Sequence, residues 1–244
     1  MYFYRVDGSF KRALDFFKTF TIDNEVRVSN VYEMFVNVQN IYNDLLRKSI
    51  EEEIEDGRLA NCGNPNFYTY VILDAKKLYK ILDEYSKEVF TPADVLNEHV
   101  DELKENIDYV GKGKATRNFD HAIDCKKLIE GKKTCKKENR KSDKIIESWE
   151  NGNGIVILRL STETSHFEAH AREYAIIKSV GINNITNIIN GTPYGIMKTW
   201  NSIEIANYGT MILYKALKMC INDSPRIIHS NDVVLPREKF LRPD

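Results

Sequence analysis

This 244-residue sequence lacks the features of membrane proteins and of disulfide-rich secreted proteins. No apolar run approaches the ~18 residues that a transmembrane helix needs, so we expect no membrane association. The N-terminus has neither the basic start nor the apolar core of a signal peptide, which predicts an intracellular protein of the nucleus or cytoplasm. Four cysteines without a Cys-x-x-Cys spacing favour reduced thiols over disulfides or a structural zinc site.

Common nucleotide-binding and metalloprotease motifs are missing as well. No stretch follows the phosphate-loop pattern or the dinucleotide-binding pattern of glycines. His166 and His170 stand four positions apart, but Glu168 does not occupy the position after the first histidine that a His-Glu-x-x-His zinc protease requires. We therefore expect these histidines to face solvent or substrate. Internal repeats and low-complexity tracts are also missing.

Charge is distributed unevenly along the chain. Residues 111–144 contain 12 Lys and Arg against 5 Asp and Glu, which leaves 23 basic and 31 acidic residues elsewhere. A basic segment of this kind suits either a polyanion-binding surface or a solvated lysine-rich loop. Seven lysines are candidates for contact with nucleic acid: Lys114, Lys126, Lys127, Lys132, Lys133, Lys136 and Lys137.

The hydrophobic pattern predicts an α/β (α+β) protein. Strands are predicted at 67–74, at 107–110 and at 154–160, the last of which is apolar nearly throughout and is therefore expected at the centre of the sheet. Apolar residues at helical spacing predict helices between and after these strands. We expect a helical N-terminal appendage over residues 1–64, a principal domain over 65–222 and a C-terminal extension over 223–244.

A short glycine-containing stretch, residues 107–121, is the most distinctive part of the sequence. Gly111 and Gly113 are expected to break the second strand in a tight turn, because neither carries a Cβ. Lys112, Lys114 and Arg117 surround that turn with positive charge. The residues alone leave open whether the turn binds a phosphate or is an ordinary solvated loop.

Glu173 is a carboxylate in an unusual place. It lies on the apolar face of the helix predicted after the third strand, with Ala169, Ile176, Ile177 and Val180. A carboxylate in such a position is costly unless it is paired. A buried ion pair and a bound cation both satisfy this requirement.

In order along the chain, these residues resemble the signatures of GIY-YIG endonucleases. The matching elements are Tyr70 in the first strand, Tyr109-Val110-Gly111 in the second, then Arg117, Glu173 and Asn187. The similarity is closest to the animal subgroup in which this domain accompanies a LEM domain and ankyrin repeats, and to its stand-alone relatives. It covers roughly residues 66–220 and implies a small, mainly antiparallel three-stranded sheet flanked by helices.

The resemblance also implies a reaction and its residues. It implies one-step, metal-dependent hydrolysis of DNA by water, possibly of branched DNA, with Tyr70 as the general base and Arg117 and Lys112 as cations that lower its pKa. The implied catalytic residues are Tyr70, Tyr109, Lys112, Arg117, His121 and Asn187, and Glu173 is the implied ligand of Mg²⁺ or Mn²⁺. Thr69 and Ala115 depart from the signatures of the wider family and of the subgroup respectively, so the register of the catalytic arginine stays open. A non-catalytic nucleic-acid-binding module and a structured-RNA nuclease remain alternatives, and the oligomeric state is not indicated.

Overall fold

The computed structural model describes residues 25–60, 65–87, 93–134 and 140–235. Within these ranges three strands alternate with helices in the order that follows. The elements are α1 (Glu25–Glu55), β1 (Phe67–Asp74), α2 (Ala75–Lys87), α3 (Ala93–Glu105), β2 (Ile107–Lys114), α4 (Asp120–Ile129), α5 (Arg140–Glu150), β3 (Ile155–Thr164), α6 (His166–Val180) and α7 (Ser202–Asn222).

The three strands form an antiparallel sheet of order β2-β1-β3, which confirms the predicted α+β architecture. The prediction that β3 lies at the centre is wrong. β1 is central, with seven of its eight residues buried, and β3 is an edge strand whose Ile155 forms an isolated bridge with Ile228. Four of the ten residues of β3 are buried, and three of them, Ile155, Val156 and Leu158, lie in its apolar first half and belong to the two hydrophobic clusters.

The two faces of the sheet belong to different hydrophobic clusters. Val71 and Leu73 of β1 pack with residues of α6 and α7 on one face. Tyr70 and Ile72, which alternate with them, pack on the other face with Ile145 and other residues of α4 and α5. Helices therefore cover both sides, and the tyrosines of β1 lie on the face of α4 and α5.

Strand β2 continues through both glycines, so the predicted break at this point is wrong. Gly111 pairs with Tyr70, and Gly113 pairs with Tyr68. A Cβ on Gly111 would lie 2.6 Å from Tyr70 Cζ and 2.8 Å from Tyr109 Cε1. The glycine is thus needed because two tyrosine rings lie against the strand backbone, and not because the chain turns there.

Helix α1 and the helices of the long connection from β1 to β2 also pack around the sheet. Tyr42, Leu46 and Ile50 of α1 are part of the same hydrophobic cluster as Val71. The connection forms two helices, α2 and α3. The domain boundaries at residues 64 and 222 stay predictions, and the first 24 residues of the expected helical appendage lie outside the described part of the chain.

Two expectations from the sequence, on membrane-spanning helices and on cysteines, concern residues that the structure describes. In that part of the chain, no helix is both long enough and apolar enough to cross a bilayer. Cys125 and Cys220 are buried free thiols, whereas Cys62 and Cys135 lie outside the described ranges.

Candidate active site

Two tyrosines and a histidine meet on the α4 and α5 side of the sheet. Tyr70 comes from β1, Tyr109 from β2 and His121 from α4. The Tyr70 hydroxyl lies 2.9 Å from His121 Nε2, and the ring of Tyr109 packs edge-on against His121 at a centroid distance of 5.0 Å. The structure thus brings His121 to Tyr70, 51 positions earlier in the sequence, and to Tyr109 of the neighbouring strand.

Lys141, at the start of α5, is a fourth member of this cluster that sequence reasoning missed. Its Nζ lies 3.4 Å from His121 Nε2 and 4.3 Å from the centroid of the Tyr109 ring. Because an ammonium group can only donate, His121 Nε2 must act as an acceptor here, which places the proton of the neutral imidazole on Nδ1. The Tyr70 hydroxyl then donates to the same Nε2 atom. In the sequence Lys141 belongs to the basic segment, and no local pattern indicates that it points inward.

Burial shifts the pKa of each of these four groups in the direction that favours its neutral form. Burial and the nearby Lys141 and Arg117 cations lower the pKa of His121 to about 4. Burial likewise lowers the pKa of Lys141 to about 8. Burial raises the pKa of Tyr70 and of Tyr109, and Arg117 offsets only part of the increase. The expectation that cations lower the pKa of Tyr70 overall is therefore wrong, because desolvation outweighs the attraction of one exposed guanidinium.

Arg117 lies at the rim of this cluster, in a short 3-10 turn that precedes α4. Its Nη1 donates to Asp120 Oδ2 at 2.7 Å, and more than half of its side chain is exposed. A Cβ on Gly113 would lie 2.7 Å from Arg117 Cβ, so this glycine lets the stem of the arginine lie against β2. An exposed ion pair of this kind contributes little, about 0–1 kcal/mol, so an incoming phosphate can compete with Asp120 for the guanidinium.

Arg159 of β3 supports the turn that carries Arg117, a second feature that sequence reasoning missed. Its Nη2 donates to Ala115 O at 2.8 Å and to Asn118 Oδ1 at 2.9 Å, while its guanidinium covers the ring of Tyr68. Ala115 has a φ of 51°, a left-handed conformation that costs roughly 1–2 kcal/mol for a residue with a Cβ. The hydrogen bonds to its carbonyl hold that conformation.

Glu173 of α6 lies on the other side of β2, beside Lys112. Its Oε2 is 3.8 Å from Lys112 Nζ and 4.0 Å from His170 Nδ1. The side chain is 12 % exposed, and burial raises its pKa while Lys112 lowers it. Glu173 also adds to the raised pKa of Tyr109, which indicates that the two groups interact electrostatically.

The surroundings of Glu173 fit a hard divalent cation. A single carboxylate that is largely removed from water, with an ammonium group as its nearest counter-charge, can hold Mg²⁺ or Mn²⁺ if waters and phosphate oxygens complete the shell. Among the described residues, a cluster whose side chains lie close enough together to hold a metal ion is found elsewhere, at Glu84, His99 and Glu102. Lys80 Nζ lies 3.5 Å from Glu84 Oε1 and 3.3 Å from Glu102 Oε1, so an ammonium group accompanies the carboxylates there as well.

Glu168 and the two histidines of α6 do not form a zinc site. Glu168 is fully buried and pairs with Arg172, whose Nε donates to Glu168 Oε1 at 3.2 Å. The rings of His166 and His170 meet edge to face at a centroid distance of 4.5 Å. The carboxylate that a zinc site would need is therefore occupied by an arginine.

Asn187 holds the free edge of β2 next to the tyrosines. Its Oδ1 accepts from Val110 N at 3.0 Å, and its Nδ2 donates to Val110 O at 2.7 Å. The preceding Thr186 bonds twice to Asp108 O, through its backbone N and its hydroxyl, both at 2.8 Å. The Asn187 amide thus supplies the two hydrogen bonds that a neighbouring strand would make with Val110, which lies between Tyr109 and Gly111.

Of the five described lysines that are expected to contact nucleic acid, Lys114, Lys132 and Lys133 are exposed, and several already face carboxylates. Lys126 and Lys132 both approach Glu130, and Lys133 lies 2.8 Å from Asp124. Within the described ranges, Lys114 and Lys127 form no ion pair. Lys136 and Lys137 lie outside the described residues. The role of all seven stays a prediction.

Comparison with known proteins identifies the family. The model of the LEM-3-like GIY-YIG domain matches residues 67–235. The chain belongs to this family. Membership shows a GIY-YIG-type nuclease domain whose substrate is nucleic acid, and it confirms the resemblance to the LEM-associated subgroup.

The curated relatives of this chain are much longer than the matched region. The chain is 28 % identical over 186 residues to the ankyrin repeat and LEM domain-containing protein 1 homolog of Caenorhabditis elegans, and the match covers 76 % of this chain and 25 % of the relative. It is 26 % identical over 171 residues to ankyrin repeat and LEM domain-containing protein 1 of Homo sapiens, covering 68 % of this chain and 26 % of the relative. The chain therefore spans about a quarter of the length of these relatives. No solved structure matches the chain significantly.

Proposed function

We propose that this GIY-YIG protein is a divalent-metal-dependent endonuclease that hydrolyses DNA in one step, with water as the nucleophile. The observation that carries the proposal is the hydrogen bond between the Tyr70 hydroxyl and a neutral His121, in a cluster whose electrostatics also include Glu173. A non-catalytic nucleic-acid-binding module would not require a proton acceptor behind a buried phenol.

Water is activated through a relay of two hydrogen bonds. A neutral Tyr70 cannot act as a base by itself, because burial raises its pKa far above the working pH. As the Tyr70 oxygen takes a proton from the attacking water, its own proton passes to His121 Nε2, 2.9 Å away. The low pKa of His121 keeps it unprotonated, and hence able to accept, at every pH above about 4.

Arg117 and Lys112 stabilise the charge that accumulates on the phosphate. Arg117 exchanges its exposed partner Asp120 for a non-bridging oxygen, and its planar fork can bind two oxygens at once. Lys112 stands between Gly111 and Gly113 in β2 and supplies a second positive charge, next to Glu173. In this proposal Arg117, at the rim of the tyrosine cluster, and Lys112, beside Glu173, act on the same phosphate.

Glu173 would hold the cation. A bound Mg²⁺ or Mn²⁺ would supply Lewis acidity for hydrolysis of the phosphodiester. Lys112, 3.8 Å from Glu173 Oε2, offsets part of the rise that burial causes in the pKa of this carboxyl group. Asn187 keeps Tyr109 and Gly111 in register by pairing with Val110 between them.

Cleavage assays on several substrates test this proposal. Purified protein is incubated with supercoiled plasmid, linear duplex, a branched DNA oligonucleotide and a structured RNA, each with Mg²⁺, Mn²⁺ or EDTA. We expect metal-dependent cutting of DNA, fastest on the branched substrate. Cutting of RNA alone would indicate the structured-RNA nuclease, and binding without cutting under any divalent ion would contradict the catalytic proposal.

A further inference from the structure

Two adjacent isoleucines protrude from the loop that follows Asn187. Ile188 is 97 % exposed and Ile189 is 78 % exposed, and of the large hydrophobic side chains that the structure describes only Val234 is comparable. Single exposed apolar residues are ordinary on protein surfaces, whereas contiguous exposed apolar surface marks an interaction site.

The loop tip is fixed on both sides. Asn187, on its N-terminal side, makes the two hydrogen bonds to Val110. Gly191, on its C-terminal side, has a φ of +81° and packs so closely on α6 that a Cβ would lie 3.3 Å from Tyr174 Cα. A three-residue tip between two such anchors has little freedom to fold back and hide its side chains, so the isoleucines stay exposed.

The tip also stands next to the proposed catalytic groups and in a favourable field. Ile188 is one residue beyond Asn187, and Asn187 pairs with the residue between Tyr109 and Gly111. The 30 residues from Tyr174 to Ile203 include no Asp or Glu, although the whole chain has 36, and they include Lys178 and Lys198. Lys198 is paired with Glu53 at 2.8 Å, so the segment favours a polyanion through its lack of acidic side chains and through Lys178.

We propose that Ile188 and Ile189 form a wedge that inserts into the base stack of DNA at a branch, and so give the nuclease its preference for branched substrates. Apolar side chains that enter DNA must separate stacked bases, and this costs least where the stack is already interrupted. A continuous duplex resists insertion, whereas a junction or flap offers an open step. This inference rests on the proposed function, since it places the wedge beside the scissile phosphate.

Binding of branched and linear DNA, measured with EDTA so that no strand is cut, tests the wedge. The double variant Ile188→Ser/Ile189→Ser removes the apolar tip from an exposed position and leaves the core unchanged. Ile188→Leu/Ile189→Leu keeps an apolar tip, and Val234→Ser, also highly exposed, is the matched control. A 2-aminopurine base placed next to the branch reports unstacking.

We expect the wild type, the leucine pair and Val234→Ser to bind the branched oligonucleotide more tightly than the linear duplex and to increase the 2-aminopurine fluorescence. The serine pair should lose about tenfold in affinity for branched DNA alone, without the fluorescence change. A serine pair that keeps the preference, or a wild type that has none, overturns the proposal. So does a serine pair that keeps the preference but changes the oligomeric state in sedimentation, because the tip would then contact a second copy.

The two proposals fail separately in these measurements. Metal-dependent cleavage of plasmid DNA tests the nuclease function and needs no wedge. Loss of cleavage with an intact branch preference contradicts only the proposed chemistry. Cleavage that is indifferent to the serine pair, combined with unchanged branched binding, contradicts only the wedge.

Discussion

His121 Nε2 lies 2.9 Å from the Tyr70 hydroxyl and 3.4 Å from Lys141 Nζ, so two donors converge on one acceptor nitrogen. This relationship explains how a buried phenol can take part in proton transfer. It also predicts that His121 contributes to this proton transfer through its ring nitrogen, and that Lys141 influences it through the charge that it places beside that nitrogen.

Replacement of His121 by phenylalanine should remove the acceptor but keep an aromatic ring against Tyr109. We expect kcat to fall by roughly 10²-fold to 10³-fold, a typical contribution of acid–base catalysis. Single-turnover cleavage measures the loss, and fluorescence anisotropy of DNA in EDTA shows whether binding is retained. An equal loss of DNA affinity would mean that His121 positions substrate and does not move a proton.

The Lys141→Met variant should raise the pKa of His121, because the ammonium group disfavours the imidazolium. The wild-type imidazole stays neutral down to about pH 4, whereas the variant should be protonated at a higher pH and lose its acceptor there. The acid limb of the pH–rate profile should therefore move to higher pH. Titration of the His121 ring protons by NMR measures the shift directly, and an unchanged pKa would separate Lys141 from the relay.

A Gly111→Ala substitution should displace the tyrosine rings, because the added Cβ would lie 2.6 Å from Tyr70 Cζ. Overpacking of this kind costs about 1–3 kcal/mol, and we expect cleavage to fall by more than the stability loss explains. Gly131→Ala is the control: its φ is +68° and nothing lies within 4 Å of the new Cβ. It should cost roughly 1–2 kcal/mol through backbone strain and leave cleavage unchanged. Full activity in Gly111→Ala would contradict the assigned ring positions.

Asn187→Asp should destabilise the edge of β2. One carboxylate oxygen can still accept from Val110 N, but the other replaces the Nδ2 donor and faces Val110 O. We expect a loss of about 1–3 kcal/mol in the free energy of unfolding together with reduced cleavage. Asn183→Asp introduces the same charge at an exposed loop position and should change neither. Chemical denaturation and plasmid cleavage compare the two, and equal effects would show that charge alone is responsible.

The parts of the structure that sequence predicted well depend on short-range signals. The bounds of β1 at residues 67 and 74 follow from its aromatic and β-branched residues and match the structure. The helix that carries Glu173 begins after Ser165, whose side chain accepts from Glu168 N at 3.1 Å, and ends at Gly181. Caps and periodicity lie within a few residues of each other, so one sequence shows them.

The features that sequence missed depend on partners far along the chain. β2 extends through Gly111 because Tyr70, 41 positions earlier, covers the glycine, and no local pattern shows this. Lys141 enters the site because α5 packs on the sheet, although the same lysine reads locally as part of a solvated basic run. The direction of the Tyr70 pKa shift was misjudged for the same reason, since the cations were visible in sequence and the burial was not.

The most direct test of the account is plasmid cleavage with Mg²⁺ by wild type, Glu173→Gln and Tyr70→Phe, with Tyr85→Phe as a control that deletes a hydroxyl away from the site. Mg²⁺ titration and DNA anisotropy accompany each assay. We predict that wild type and Tyr85→Phe cut the plasmid, and that both site variants bind DNA but cut it at least about 10²-fold more slowly. In the Mg²⁺ titration of the protein without DNA, only Glu173→Gln should lose binding of the ion. Cleavage by either site variant at the wild-type rate would contradict the assignment of Tyr70 and Glu173 to the chemistry.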